Sequence, residues 1–165
     1  MVIFAALLWL IAGQQSDTCE VIQTTISGNS MQGILWNGQK ISVYTPPCGR
    51  PRRYDHMLFE HETRPNALVK QIWGMPGDMI RVTKKGRILI NNDIEAKTPF
   101  GRPYVLVGYS KKRLRRLEGK PLEGYILLGH PGSEDSAQLG LITVDMVLGY
   151  VKRDQPYVET DQQKE

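Results

Sequence analysis

The sequence predicts a mainly β single domain, built from coiled antiparallel sheets or an open β-barrel with one or two short helices. Its 165 residues include 16 Gly and 10 Pro, which indicate many turns and favour short strands over long helices. Short segments rich in Val, Ile and Thr recur along most of the chain. The length is enough for one domain with a sizeable apolar core.

Nine segments are predicted to be strands, because they alternate apolar and polar residues or are rich in β-branched residues. In chain order they cover residues 19–26, 40–44, 56–60, 67–73, 79–82, 87–90, 93–96, 125–128 and 144–151. A short turn after Ser30 and the basic run at residues 111–117 are predicted to be helical. Residues 46–54 and 98–103 are rich in Pro and Gly and are predicted to be loops.

The N-terminus carries an unbroken apolar run over residues 2–12. Eleven residues of helix rise about 16 Å, roughly half the hydrocarbon thickness of a bilayer. Polar residues follow this run, so residues 1–13 are predicted to be a signal anchor or signal peptide rather than part of the core. We therefore expect a membrane-attached or exported protein with its folded domain at residues 14–153 and a polar tail at 154–165.

The chain has only two cysteines, Cys19 and Cys48. Their spacing matches no zinc pattern, because a structural zinc site needs four ligands, usually in close pairs. In an exported protein the two can form one disulfide, and two unpaired core thiols are the alternative. The sequence leaves this choice open, and it predicts neither a metal nor a cofactor.

The net charge of +4 is concentrated in one place. Five cations lie close together in the basic run: Lys111, Lys112, Arg113, Arg115 and Arg116. The rest of the chain has 16 basic and 17 acidic residues and is therefore nearly neutral. A general nucleic-acid binder is therefore disfavoured. The run can form a solvated helix face, meet anionic lipid headgroups or meet nucleic-acid phosphates. Nucleic acid is the least favoured partner, because no aromatic residue for base stacking lies between Lys111 and Tyr125.

Ser30 is the first candidate for chemistry. It follows a loop that contains Gly28 and begins the predicted helical turn. A serine at such a position has an accessible hydroxyl, and the free backbone N–H groups nearby can hold an oxyanion. The alternative is an ordinary helix-capping serine.

Lys70 is the second candidate, because alternate residues of a strand share a face and Lys70 therefore lies with Leu68 and Ile72. Burial on an apolar face favours the neutral amine and lowers the pKa of a lysine, which makes it a usable general base. The alternative is a lysine whose ammonium reaches solvent at the strand edge.

The third candidate is the turn at residues 129–136, which follows an apolar strand and is rich in hydroxyls and carboxylates. Ser133 and Asp135 in this turn are suited to orienting a base or to pairing with a nearby loop. The alternative is a solvated turn.

Together the three segments resemble the conserved boxes of the type I signal peptidases, which are membrane-bound serine proteases with a Ser-Lys dyad. The family's Gly-x-Ser-Met box is similar to residues 28–31, and its lysine box leading to Pro-Gly-Asp is similar to residues 69–78. The late Ser-x-Asp-Ser box is similar to residues 133–136, and the order of the boxes agrees over residues 26–151. Residues 101–103 and the basic stretch after them resemble the TraF-type conjugative-transfer branch.

The resemblance implies a role for each matching residue. Ser30 would be the nucleophile and Lys70 its general base. Gly28 would shape an oxyanion hole around the Ser30 amide, and Ser133 would orient the Lys70 amine. Two further residues would have structural roles near the site. Met31 would line the floor of the substrate pocket, and Asp135 would hold the late loop in place.

The implied function is cleavage of N-terminal leaders from exported precursor proteins, including pilin or other conjugative-transfer proteins, on the extracytoplasmic face of a membrane. Precursor proteins and membrane lipid are then the expected partners. The chain departs from the family pattern where Gly-Asp-Asn becomes Gly129-His130-Pro131 and where Ala137 stands in place of Arg. A catalytically inactive relative, or a β-barrel that binds nucleic acid or lipid through the basic run, is the alternative.

Overall fold

The computed structural model describes residues 18–153. Over this range the chain forms nine strands, two α-helices and two 3-10 turns, the latter at Pro46–Cys48 and Val144–Met146. The strands are β1 (Val21–Thr25), β2 (Lys40–Tyr44), β3 (His56–Phe59), β4 (Leu68–Gly74), β5 (Ile80–Val82), β6 (Ile88–Ile90), β7 (Ile94–Glu95), β8 (Ile126–Leu128) and β9 (Val147–Val151). The helices are α1 (Gly108–Arg115) and α2 (Ser136–Leu139).

The strands form two antiparallel sheets. The larger has six strands in the order β1-β2-β9-β3-β4-β8, and the smaller has three in the order β5-β6-β7. Neither sheet closes on itself, because each has two different edge strands. The predicted fold class, mainly β with coiled antiparallel sheets and two short helices, is confirmed.

Each predicted strand segment overlaps one observed strand, and most bounds differ by one or two residues. The largest difference is at the last strand, where residues 144–146 form a 3-10 turn before β9 begins. Helix α1 begins before the basic run, at Gly108. Helix α2 is absent from the predicted elements, and it forms where the Asp135 carboxylate accepts a hydrogen bond from the Ala137 amide at 2.9 Å.

Two predictions lie outside the described residues: the membrane segment at residues 1–13 and the polar tail at 154–165. In the part of the chain from 18 to 153, no helix has both the length and the apolar character needed to cross a bilayer. Within the same range, no three His, Cys, Asp or Glu side chains come together as a metal cluster would require.

Two buried apolar clusters hold β4 in place, one through Trp73 and the other through Ile72. Trp73 of β4 packs with Ile88 of the small sheet and Leu114 of α1, while Ile72 packs with Met57 of β3. Each such side chain contributes roughly 1.5–3 kcal/mol when it is fully buried. The strand is therefore packed on both of its faces from Lys70 to Gly74, where every residue is buried.

Cys19 and Cys48 form a disulfide, which decides the alternative that the sequence left open. The bond joins residues 29 apart and links the chain just before β1 to the 3-10 turn after β2. The Thr45 amide also donates to the Glu20 carbonyl, at 3.0 Å. The start of β1 is therefore tied to the end of β2 both covalently and through the backbone.

Candidate active site

Ser30 lies on a tight turn that follows β1. Gly28 adopts a φ of +91° at this turn, a conformation that favours glycine, and its amide donates to Asn37 Oδ1 at 2.9 Å. Beyond Ser30 the backbone makes a helical turn in which the Leu35 amide donates to the Met31 carbonyl at 2.9 Å. Met31 and Leu35 are buried and anchor the turn, and Ser30 stays partly exposed.

Lys70 lies in the middle of β4, opposite Met57 of β3, and only 1% of it is exposed. Its Nζ is 2.5 Å from Ser30 Oγ, although the two residues are 40 positions apart in the chain. The expectation that Lys70 shares the apolar face of its strand is confirmed. The alternative, an ammonium that reaches solvent, is wrong.

Burial lowers the pKa of Lys70 from 10.5 to about 8, although the carboxylates of Asp135 and Glu134 act in the opposite direction. Desolvation dominates because a charged ammonium in an apolar environment loses its hydration. Around pH 8 a large share of the amine is therefore neutral. A neutral amine at this distance can accept the hydroxyl proton of Ser30.

Gly129 lies at the end of β8, where three parts of the site meet. A Cβ at this position would lie 2.6 Å from the Ser30 carbonyl oxygen and 3.0 Å from Lys70 Cδ. The next amide, that of His130, donates to the Ser30 carbonyl at 3.0 Å. The absence of a side chain at Gly129 is what lets this strand end approach both Ser30 and Lys70.

Ser133 lies close to this contact, because its Oγ would be 3.0 Å from a Cβ on Gly129. That Oγ is buried and has no hydrogen-bond partner among residues 18–153. The bond from Ser133 to the Lys70 amine that the resemblance implies is therefore not formed in the structure. The orienting role of Ser133 stays a prediction.

Asp135 is fully buried and holds the late loop together. One carboxylate oxygen accepts hydrogen bonds from the Tyr104 hydroxyl at 2.8 Å and the Gly129 amide at 3.1 Å, and the other caps α2. Burial raises the pKa of Asp135, and these hydrogen bonds act against that rise. Tyr104 is thus a hydrogen-bond partner that ties Asp135 to a distant part of the chain.

Sequence reasoning missed a second group of contacts on the serine turn. His130 Nε2 lies 2.8 Å from the Gln32 carbonyl oxygen, and the His130 ring packs against Phe100 with centroids 4.7 Å apart. Phe100 in turn lies over Gly33, where a Cβ would come within 2.8 Å of its ring. No local pattern in the sequence indicates these contacts, because they join segments that are far apart in the chain.

A cavity of about 190 Å³ opens beside the Ser30–Lys70 contact. One wall is formed by the end of β1 and the loop after it, and the other by Leu68, Val69 and Lys70 of β4. Met31 and Leu58 also line it. Strand β8 pairs with β4 only from Gln71 onward, so the first half of β4 has no strand partner on that edge among the described residues.

The class of protein follows from comparison with known sequences. Residues 1–153 match the family described as signal peptidase, peptidase S26. Signal peptidase I of Bacillus caldolyticus is 30% identical over 138 residues, which cover 76% of this chain and 74% of that protein. The chain belongs to the signal peptidase family, peptidase S26.

Other similar proteins carry the same description over shorter stretches. Signal peptidase I of Pseudomonas aeruginosa is 38% identical over 56 residues, or 33% of this chain, and that of Pseudomonas fluorescens is 37% identical over 54 residues, or 32%. These matches span about a fifth of each Pseudomonas protein, 20% and 19%. A signal peptidase I structure from Enterococcus faecalis V583 aligns with a TM-score of 0.39 at 18% identity, covering 61% of this chain and 96% of that one.

The Tyr104–Asp135 hydrogen bond provides a test of how the late loop is held. We expect Tyr104→Phe to lower the free energy of unfolding by about 2 kcal/mol, because it leaves a buried carboxylate without one donor. Tyr109→Phe is the matched control, since Tyr109 is 63% exposed, and it should change the free energy by less than about 0.5 kcal/mol. Urea unfolding at neutral pH measures both, and equal effects would contradict the assigned role.

Proposed function

We propose that the protein is a serine endopeptidase that removes N-terminal leaders from exported precursor proteins, with Ser30 as nucleophile and Lys70 as general base. The observation that carries the proposal is the 2.5 Å contact between Ser30 Oγ and the buried Lys70 amine. Membership of the signal peptidase family supports the reaction class. The lowered pKa of Lys70 supports its use as a base near neutral pH.

The reaction proceeds through an acyl-enzyme. Neutral Lys70 takes the hydroxyl proton as Ser30 Oγ attacks the scissile carbonyl, and the Ser30 amide stabilises the oxyanion that forms. The leaving amine takes the proton from Lys70 as the peptide bond breaks. Lys70 then removes a proton from water, which attacks the ester. Lys70 returns that proton to Ser30 Oγ as the ester C–O bond breaks, and the leader is released with a free carboxyl end. Gly28 shapes the turn that presents this amide, and no metal or cofactor takes part.

The substrate binds in the cavity beside the dyad. An extended peptide can add a strand along Leu68–Lys70, because that edge of β4 has no strand partner in the described chain. Side chains that point into the cavity, whose volume is about 190 Å³, meet Met31 and Leu58. This binding mode brings the scissile carbonyl of the peptide to Ser30, which lies in the lining of the cavity.

The enzyme acts at the extracytoplasmic face of a membrane. The apolar run at residues 2–12 supports membrane attachment, and the Cys19–Cys48 disulfide is typical of an oxidising compartment. Pilin or other conjugative-transfer precursors are the proposed substrates, on the resemblance of residues 101–103 and the basic stretch to the TraF-type branch. Membrane lipid is the second proposed partner.

The dyad is tested by its pH dependence. For the wild type, kcat/KM on a leader peptide should rise with an apparent pKa near 8, because Lys70 must lose its proton before it can act. Ser30→Ala and Lys70→Met should each lower kcat/KM by roughly a thousandfold or more. The exposed Lys40 supplies the control Lys40→Met, which should leave rate and profile unchanged.

Circular dichroism in the near ultraviolet confirms that each variant is folded before its rate is compared. A folded Lys70→Met variant that retains the wild-type rate would refute Lys70 as the base. A wild type that fails to cleave several precursors would refute the reaction class.

The approach of Gly129 to the dyad gives a second test with an internal control. A Cβ at Gly129 or at Gly124 would meet a backbone carbonyl at 2.6 Å, that of Ser30 in the first case and of Ile142 in the second. Both alanine variants should lose about 1–3 kcal/mol of stability through overpacking. Only Gly129→Ala should also lower kcat, by about a hundredfold, since it displaces the reacting serine. Equal kcat in the two folded variants would contradict the geometry.

A further inference from the structure

Helix α1 and the residue after it carry five cations that the proposed reaction does not use. Leu114 points inward and is fully buried, whereas the cations are exposed or partly exposed. These cations are Lys111, Lys112, Arg113, Arg115 and Arg116. Within residues 18–153, no ion pair joins any of them to a carboxylate. Their charge is therefore available to a partner.

The fold enlarges this charged surface with two lysines that the sequence reasoning did not connect to it. Lys111 Nζ donates to the Lys84 carbonyl at 2.6 Å, and the Arg115 guanidinium donates to the Thr83 carbonyl at 3.4 Å. The turn between β5 and β6 thus lies against α1 and adds the exposed Lys84 and Lys85. Seven positive charges from two separate segments form one surface.

Exposed apolar side chains lie beside these cations. Val105 is 41% exposed and pairs with Arg87, at the far side of the same turn, and Val107 is 74% exposed. The Leu106 amide between them donates to the Gly86 carbonyl at 2.9 Å, which fixes the segment next to the lysines. Apolar side chains bordered by lysine and arginine are typical of surfaces that enter the headgroup region of a bilayer.

This combination favours lipid over nucleic acid. The Arg113 guanidinium lies over one face of the Tyr109 ring, 5.1 Å from its centroid, which leaves only one face of this ring for base stacking. Exposed valines add nothing to phosphate recognition, whereas their entry into the interfacial region of a bilayer is favourable because it removes apolar surface from water. We propose that the surface formed by α1, Lys84, Lys85, Val105 and Val107 docks on anionic lipid headgroups, an inference that rests on the proposed membrane-attached enzyme.

The proposal is tested with a fluorophore placed on the surface. Val107→Cys carries an environment-sensitive label, and Val144→Cys is the matched control, because both valines are exposed, 74% and 64%. The chain's own two cysteines are joined in a disulfide, so the new thiol is the one that reacts. The full chain is reconstituted into phosphatidylcholine vesicles with or without phosphatidylglycerol.

We expect the label at 107 to shift to the blue only with phosphatidylglycerol, and the shift to disappear at high salt. The label at 144 should be unchanged in both. Lys84→Gln combined with Lys85→Gln should lower the docking equilibrium about 30-fold, as two lysines near an anionic surface predict. Loss of the same charge at two exposed positions elsewhere, Lys40→Gln with Arg50→Gln, should leave it unchanged.

Three results would overturn the proposal: no shift at 107, equal shifts in the two lipids, or an equal shift at 144. A shift at 107 that a DNA duplex causes and phosphatidylglycerol does not would assign the surface to nucleic acid instead. Leader-peptide cleavage is measured in the same vesicles. A protein that cleaves without the lipid-dependent shift refutes the docking surface alone, and one that shows the shift without cleaving refutes the proposed reaction alone.

Discussion

The candidate site depends on one energetically unfavourable feature, the burial of the Lys70 amine on the apolar face of β4. Lowering its pKa from 10.5 to about 8 corresponds to about 3 kcal/mol of disfavoured charge. The surrounding sheet must supply that free energy through its packing, which it does by burying β4 between β3, β8 and the small sheet. The same burial is what the proposed reaction requires, because a solvated lysine would stay protonated near neutral pH.

Two distant segments, the serine turn and the late loop, converge on this amine, and each is fixed by contacts of its own. The serine turn is held by its buried Met31 and by the His130 amide, which binds the carbonyl of Ser30. The late loop is held by Asp135, whose carboxylate joins the end of β8 to Tyr104. Reacting groups held by rigid packing need little reorganisation to reach a productive geometry. The site therefore relies on packing for its precision.

Local patterns were enough to predict the strands and to place Lys70 on the apolar face of β4, because alternation along a strand is set by neighbouring residues alone. They left open whether its ammonium is buried or reaches solvent. The pairing of Lys70 with Ser30 came from the resemblance, since no local rule brings together residues 40 positions apart. The Tyr104 partner of Asp135 could not be predicted, because the two residues are 31 positions apart and no local pattern joins them. The disulfide likewise required the distance between Cys19 and Cys48, which only the paired strands β1 and β2 define.

The central claim is that Lys70 is a base in contact with Ser30, and direct titration of its amine tests this most closely. Lysine labelled with carbon-13 at Cε reports the protonation of each amine by NMR as pH is raised, and Lys70→Met identifies the signal. The account predicts that the Lys70 signal titrates near pH 8. A Lys70 signal that titrates at the ordinary lysine value of 10.5 would contradict it.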